Sequence, residues 1–438
     1  MTSERVQHHP QPHRRRPRPP GPRTAAVLLL GGTLAAIVWA NVPGGSYEAL
    51  WQTQLHVGVG SADSVFTLRD VVNNGLMTIF FFAVGLDVRR EFAIGELTTW
   101  SKAVIPTVAA VAGLTVPALI FVAFNLQSGY LHAWAAVIST DTAFLLGALA
   151  LAGSRVPNRL RVFLLALSVV DDIGALSVIA VAYTDDFRAV PLLIAAATLA
   201  ATWFARSLPM IWRRPTYAVL WVATWVALLA SGIEPTLAGV AIALVMPVAK
   251  PDVAQAQKAA QLADDFSTTP TAGAELMVER TARQSISINE RLQLAVTPWT
   301  SYVILPLFAI ANAGLVITPS IVESALTSPL TWGIVVGLAV GKFVGVFGST
   351  ALLKALHIGD FGARLDYRRL AGASALCGIG FTISLYVIGI AIADPTAQNE
   401  ARFGVLIAGI VAMSVGLLIF RTTEPADDAR ESSPATSP

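Results

Sequence analysis

Cysteine is almost absent from this chain: Cys377 stands alone among 438 residues. A single thiol excludes any intrachain disulfide. Charge is scarce too. Asp, Glu, Lys and Arg make up 13% of the sequence, against about 25% in soluble proteins. The polar segments hold no Walker-type phosphate loop, which argues against a pump driven by ATP. No small-residue cleavage site stands out after the Arg- and Pro-rich start. Residues 1–23 therefore read as a disordered basic tail ahead of a first span, and not as a signal peptide.

What is present is apolar. Hydrophobic residues form 54% of the chain, in runs approaching the ~20 residues that a spanning helix needs. Twelve candidate spans follow, at 24–41, 70–87, 103–124, 133–152, 160–182, 189–206, 216–232, 235–249, 298–318, 329–353, 369–393 and 402–420. This predicts an all-α polytopic membrane protein. Of the 30 Lys and Arg, only Arg69, Arg188 and Arg402 then fall on the outer side, and only Lys342 lies within a span. Cytoplasmic loops collect basic residues, so both termini are expected in the cytoplasm. Residues 24–421 form the membrane domain, and 422–438 form a second disordered cytoplasmic tail. Two longer connections interrupt the spans. Residues 42–69 alternate polar and apolar around Gly-Ser-Ala-Asp, which predicts a small outer hairpin. The long cytoplasmic loop 250–297 is polar, with a short helix in its first half and a flexible middle at STTPTAGAEL.

A few polar side chains lie where hydrocarbon should be. Asp171 and Asp172 are adjacent inside FLLALSVVDDIGALSVIAVAY. A carboxylate at bilayer depth costs roughly 2.5–3.5 kcal/mol on insertion scales, and two neighbours cannot easily both ionise without a cation nearby. The pair points to binding of a cation or a proton. Ser139, Thr140, Asp141 and Thr142 place three hydroxyls and a carboxylate in another span. Either the hydroxyls bond back to their own helix, or the helix is broken there and lines a cavity. Lys342 sits among Gly337, Gly341, Gly345 and Gly348, which permit close helix approach. It lies too deep to reach water easily and calls for a carboxylate or carbonyl partner. Gly378, Gly380 and Thr382 mark a second candidate break. Interrupted helices in two halves of a chain point to an inverted-repeat transporter, here spans 3–5 and 10–12. Asp87, Arg90 and Glu91 cluster at the cytoplasmic end of the second span. They are either an ordinary solvated helix end or a charged funnel that attracts cations and responds to pH.

The runs STDTAFLLGALALAGSRVP, LSVVDDIGALSVIAVAYT, SGIEPTLAGV, PWTSYVILPLFAIANAG and LCGIGFTISL together resemble the NhaA family of bacterial sodium/proton antiporters, over residues 24–421. The resemblance implies twelve helices, with the fourth and eleventh interrupted and crossing near the midplane. It implies that Asp171 and Asp172 bind the transported Na+ or Li+ and carry protons, with Thr140, Asp141 and Lys342 beside them. It also implies a homodimer in the inner membrane, with Asp87, Arg90 and Glu91 near the pH-sensing region. The sequence departs from the family pattern at Glu234, where a histidine is frequent, at Asn74 and Asp87, at Gln293 in place of a glutamate, and at Phe343 in place of a proline.

The reading is therefore a secondary active transporter and not an enzyme, exchanging Na+ or Li+ for H+ electrogenically by alternating access. Its partners are these ions, the lipid bilayer and a second copy of itself. No cofactor and no nucleic acid are expected. A sodium-coupled symporter would need a cluster of polar groups facing a substrate, and no such cluster is evident. A pH-responsive sensor or channel would not exchange ions at all.

Overall fold

Hydrocarbon offers the backbone no hydrogen-bond partners, so apolar segments of this length close their bonds internally as helices. The computed structural model describes residues 21–59, 62–183, 188–205, 210–250, 252–358 and 366–424. The tail readings for residues 1–20 and 425–438 lie outside them. We label the helices α1 Pro22–Ala40, α2 Ser46–Trp51, α3 Leu68–Ile94, α4 Trp100–Asn125, α5 Leu131–Arg155, α6 Asn158–Ala182, α7 Ala189–Ala205, α8 Met210–Ser231 and α9 Leu237–Val245. They continue with α10 Val253–Thr268, α11 Ala272–Gln284, α12 Ile288–Asn312, α13 Pro319–Thr327, α14 Pro329–Ala355, α15 Tyr367–Leu376, α16 Thr382–Ala391 and α17 Pro395–Arg421.

Eight of these (α1, α3, α4, α5, α6, α12, α14 and α17) are long and apolar enough to cross a membrane. The chain is an all-α polytopic membrane protein. The remaining expected spans, 189–206, 216–232, 235–249 and 369–393, carry the shorter helices α7, α8, α9 and α15 with α16.

Two segments are helical only at their ends. In α5 a 3-10 turn, Leu131–Val137, is separated from the α-helix Thr142–Ala152 by non-helical residues 138–141. Residues 377–381 likewise separate α15 from α16. The long helix α14 passes beside them and lies against α4. A Cβ added to Gly345 would stand 2.5 Å from the Ala112 carbonyl oxygen, and one on Gly341 would stand 2.8 Å from Pro117 Cα. Only hydrogen fits at these positions, and this close approach carries Lys342 into the interior.

Outside the spans, a two-stranded antiparallel hairpin pairs Gln54–Val59 with Ala62–Thr67. The 250–297 stretch is more ordered than the sequence suggests. Asp252, Thr271 and Ser287 each accept a hydrogen bond from a first-turn amide and so start α10, α11 and α12. STTPTAGAEL thus spans the end of α10, a three-residue connection at 269–271 and the start of α11, and α12 begins ten residues before the expected span at 298. Pro298 lies inside α12, where it removes one helical donor. A π-helical turn, Thr300–Ile304, follows it, a local adjustment of the kind that absorbs such a defect.

Candidate functional site: a split aspartate pair beside a cavity

Asp171 and Asp172 are both buried at the middle of α6. Adjacent helical residues point about 100° apart, and their surroundings differ accordingly. Asp171 turns toward α14. Lys342 Nζ lies 2.7 Å from its Oδ1 and 2.8 Å from its Oδ2. The Thr140 amide donates to Oδ2 at 2.7 Å. The two charged side chains are 1% and 0% exposed, so each charge depends on the other for compensation. A pair this deep survives only when its geometry is good and its remaining lone pairs are used.

Asp172 turns the other way. Among the described residues it has no hydrogen bond and no ion pair, and it lines a cavity of about 290 Å3. The far end of that cavity is walled by Asp87, Arg90 and Glu91. Arg90 lies 3.9 Å from both Glu91 and Glu290. Asp87 is exposed and accepts from Gln293 Nε2 at 2.7 Å. Two positions singled out in the sequence therefore meet each other.

The non-helical residues of the two split segments cross beside the pair. Asp141 accepts from the Ala143 and Phe144 amides at 3.0 and 3.1 Å, capping its own helix. Its other oxygen accepts from the Thr382 amide at 3.0 Å and from the Thr382 hydroxyl. One carboxylate thus sits at the start of two helices, where partial positive charge gathers. The Thr140 hydroxyl donates to the Cys377 carbonyl at 2.9 Å, and the Asp141 amide to the Ile379 carbonyl at 2.7 Å. Carbonyls freed by the second break are therefore taken up by the first. Thr140 does not bond back to its own helix.

Asp141, Thr140, Asp171, Asp172 and Lys342, singled out from sequence, come together around this crossing. Asp87, Arg90 and Glu91 stand apart from them, at the other end of the same cavity. Other hydroxyls on the cavity wall, Ser168, Thr297, Thr300 and Ser301, escaped the sequence reading. Ser168 had a usable signal: it precedes Asp172 by one helical turn and so shares its face. Glu234 lies away from the cavity, where the Tyr386 hydroxyl donates to it at 2.5 Å.

The sequence profile described as Na+/H+ antiporter 1 matches residues 21–420. The chain belongs to that family. The Na(+)/H(+) antiporter NhaA 1 of Mycolicibacterium gilvum is 52% identical over 402 residues, which cover 92% of this chain and 65% of that protein. A Mycobacterium sp. (strain JLS) protein of the same name is 49% identical over 401 residues, with 91% and 65% covered. The NhaA 3 antiporter of Frankia alni is 38% identical over 397 residues, 90% of this chain and 86% of that protein. The chain thus spans 65% of the length of the first two of these relatives. Asp87 and Gln293, two positions singled out in the sequence, make no contact with the crossing among the described residues. The two side chains satisfy each other, with Asp87 on the cavity wall.

Proposed function

We propose that the chain exchanges Na+ or Li+ for H+ across the bacterial inner membrane, electrogenically and by alternating access. The observation that carries this reading is the division of labour within the aspartate pair. Asp171 is held by Lys342, while Asp172 faces an open cavity with no partner among the described residues. A cation entering past Asp87 meets the Asp172 carboxylate. To bind fully it also draws on Asp171, which Lys342 must then release. The ammonium group and the metal ion compete for one carboxylate, so the site is neutralised by one or the other. That competition gives exchange and disfavours co-transport. Asp141 and Thr140 hold the crossing in register while the site alternates between the two sides.

The same reading carries an architecture: twelve spans, with spans 3–5 and 10–12 as inverted repeats and the split segments α5 and α15–α16 as the interrupted fourth and eleventh helices. Residues 24–421 would be the transport unit, with both termini cytoplasmic and two copies per assembly. Asp87, Arg90 and Glu91 would set the response to pH from the cytoplasmic mouth. The relatives named as Na(+)/H(+) antiporters support the choice of ions.

Vesicle flux tests the reading. In inside-out vesicles holding a respiration-generated pH gradient, sodium should collapse the gradient and potassium should not. A gradient unaffected by sodium from neutral to alkaline pH would overturn it.

A further inference from the structure

Serine and threonine hydroxyls inside helices normally rest on the carbonyl one turn back. Ser177 of α6 does so, donating to the Ile173 carbonyl at 2.8 Å. Thr115 and Thr350 do the same on α4 and α14, at 2.8 and 2.6 Å. Ser168 is the exception on α6. Its Oγ is 2.5 Å from Thr142 Oγ1, on the facing helical half of α5. Both residues line the cavity with Asp172. Ser168 is 1% exposed, and it lies on the Asp172 face, one turn toward the N-terminal end of α6.

We infer that the Ser168 and Thr142 hydroxyl oxygens are ligands of the transported cation, completing a shell that Asp172 begins. This rests on the antiport reading above. A hard cation leaving water needs oxygen ligands to replace its hydration shell, and one carboxylate supplies two at most. A hydroxyl carries two lone pairs and one donor. In the pair, one hydroxyl donates to the other, so each oxygen keeps a lone pair available to a metal ion. The ligands are neutral, which matters for exchange: they hold the cation without adding a group that takes up the transported proton. They also mark where sodium sheds water, on the cavity wall beside Asp172.

The test uses the full chain in proteoliposomes, with a pH-sensitive dye reporting proton movement on sodium addition. S168A and T142V should each raise the apparent KM for sodium by roughly tenfold or more, the effect expected for losing one oxygen partner of a charge. The maximum rate and the pH profile at saturating sodium should stay as in the parent protein. S168T, which keeps the hydroxyl, should restore sodium affinity. Lithium is smaller and fills its shell with fewer oxygens, so its KM should rise less. A role confined to packing would instead lower rate and stability together and leave the sodium-to-lithium ratio unchanged. Unaltered sodium KM in both variants, with exchange intact, would overturn the inference and leave antiport standing. If the parent chain shows no exchange, equilibrium binding of radiolabelled sodium decides: weaker binding by S168A supports the ligand role, and equal binding or none sinks it. Should S168A fail to fold, T142V carries the same comparison.

Discussion

Neighbouring aspartates in one helix need not behave alike, and here they predict opposite phenotypes. Asp172 has no polar partner among the described residues to orphan. Asp172→Asn should therefore abolish sodium-dependent exchange while leaving the thermal midpoint of the purified protein unchanged. Lys342→Met removes the counter-charge of a buried carboxylate. Breaking such a pair from one side costs about 3–5 kcal/mol, so the variant should melt at a distinctly lower temperature. Adding Asp171→Asn should recover most of that loss, since no buried charge then remains. If Asp172→Asn destabilises as much as Lys342→Met, the division between the two carboxylates is wrong. The residues themselves were legible in the sequence, because uncompensated charge in an apolar run is costly and conspicuous. Their pairing was not. Which carboxylate meets Lys342 depends on a 100° rotation about α6 and on where α14 passes it, and neither is written in local pattern.

At the level of elements, the two split segments stabilise each other through Asp141, whose oxygens serve the starts of two helices. Glycines in the sequence marked one break, and the hydroxyl-rich Ser-Thr-Asp-Thr run marked the other. That the second break feeds its carbonyls to the first could be learned only from the packed structure. The soluble elements were harder to read. The caps at Asp252, Thr271 and Ser287 are ordinary helix-start residues, but the apolar signal of spans overshadows them in a hydrophobic chain. The helix–helix contact between α4 and α14 gives a sharp comparison. Gly345→Ala would drive a methyl group to 2.5 Å from a backbone oxygen, and overpacking of this kind costs about 1–3 kcal/mol. Gly348→Ala on the same helix meets nothing within 4 Å, and should be neutral or stabilising by up to about 1 kcal/mol from helix propensity. Thermal unfolding in detergent distinguishes them, and equal effects would refute the close contact.

For the whole molecule, the decisive property is sidedness. Asp87, Arg90 and Asp172 line one cavity, and the proposed topology, which follows the distribution of Lys and Arg, opens it to the cytoplasm. Composition was enough to read the membrane class, because lipid constrains the chain globally. The cavity itself was invisible in sequence, since its wall is assembled from α3, α5, α6, α12 and α16. A cysteine placed at Ser301, on that wall, should react with a membrane-impermeant maleimide in inside-out vesicles and resist it in right-side-out ones. Labelling from the opposite face would invert the proposed direction of transport.

Such labelling has a quiet background. Cys377 is the one native thiol and is fully buried in the crossing, and its own carbonyl receives the Thr140 hydroxyl. If the two split segments part during the proposed alternation, a small permeant alkylating agent should gain access to that sulfur. The alkylation rate would then act as a built-in clock for the proposed alternation. If alternation separates the crossing, the clock should change speed with sodium and with pH. An unchanging rate would mean that the crossing turns as a rigid unit, and that the motion lies in the helices around it.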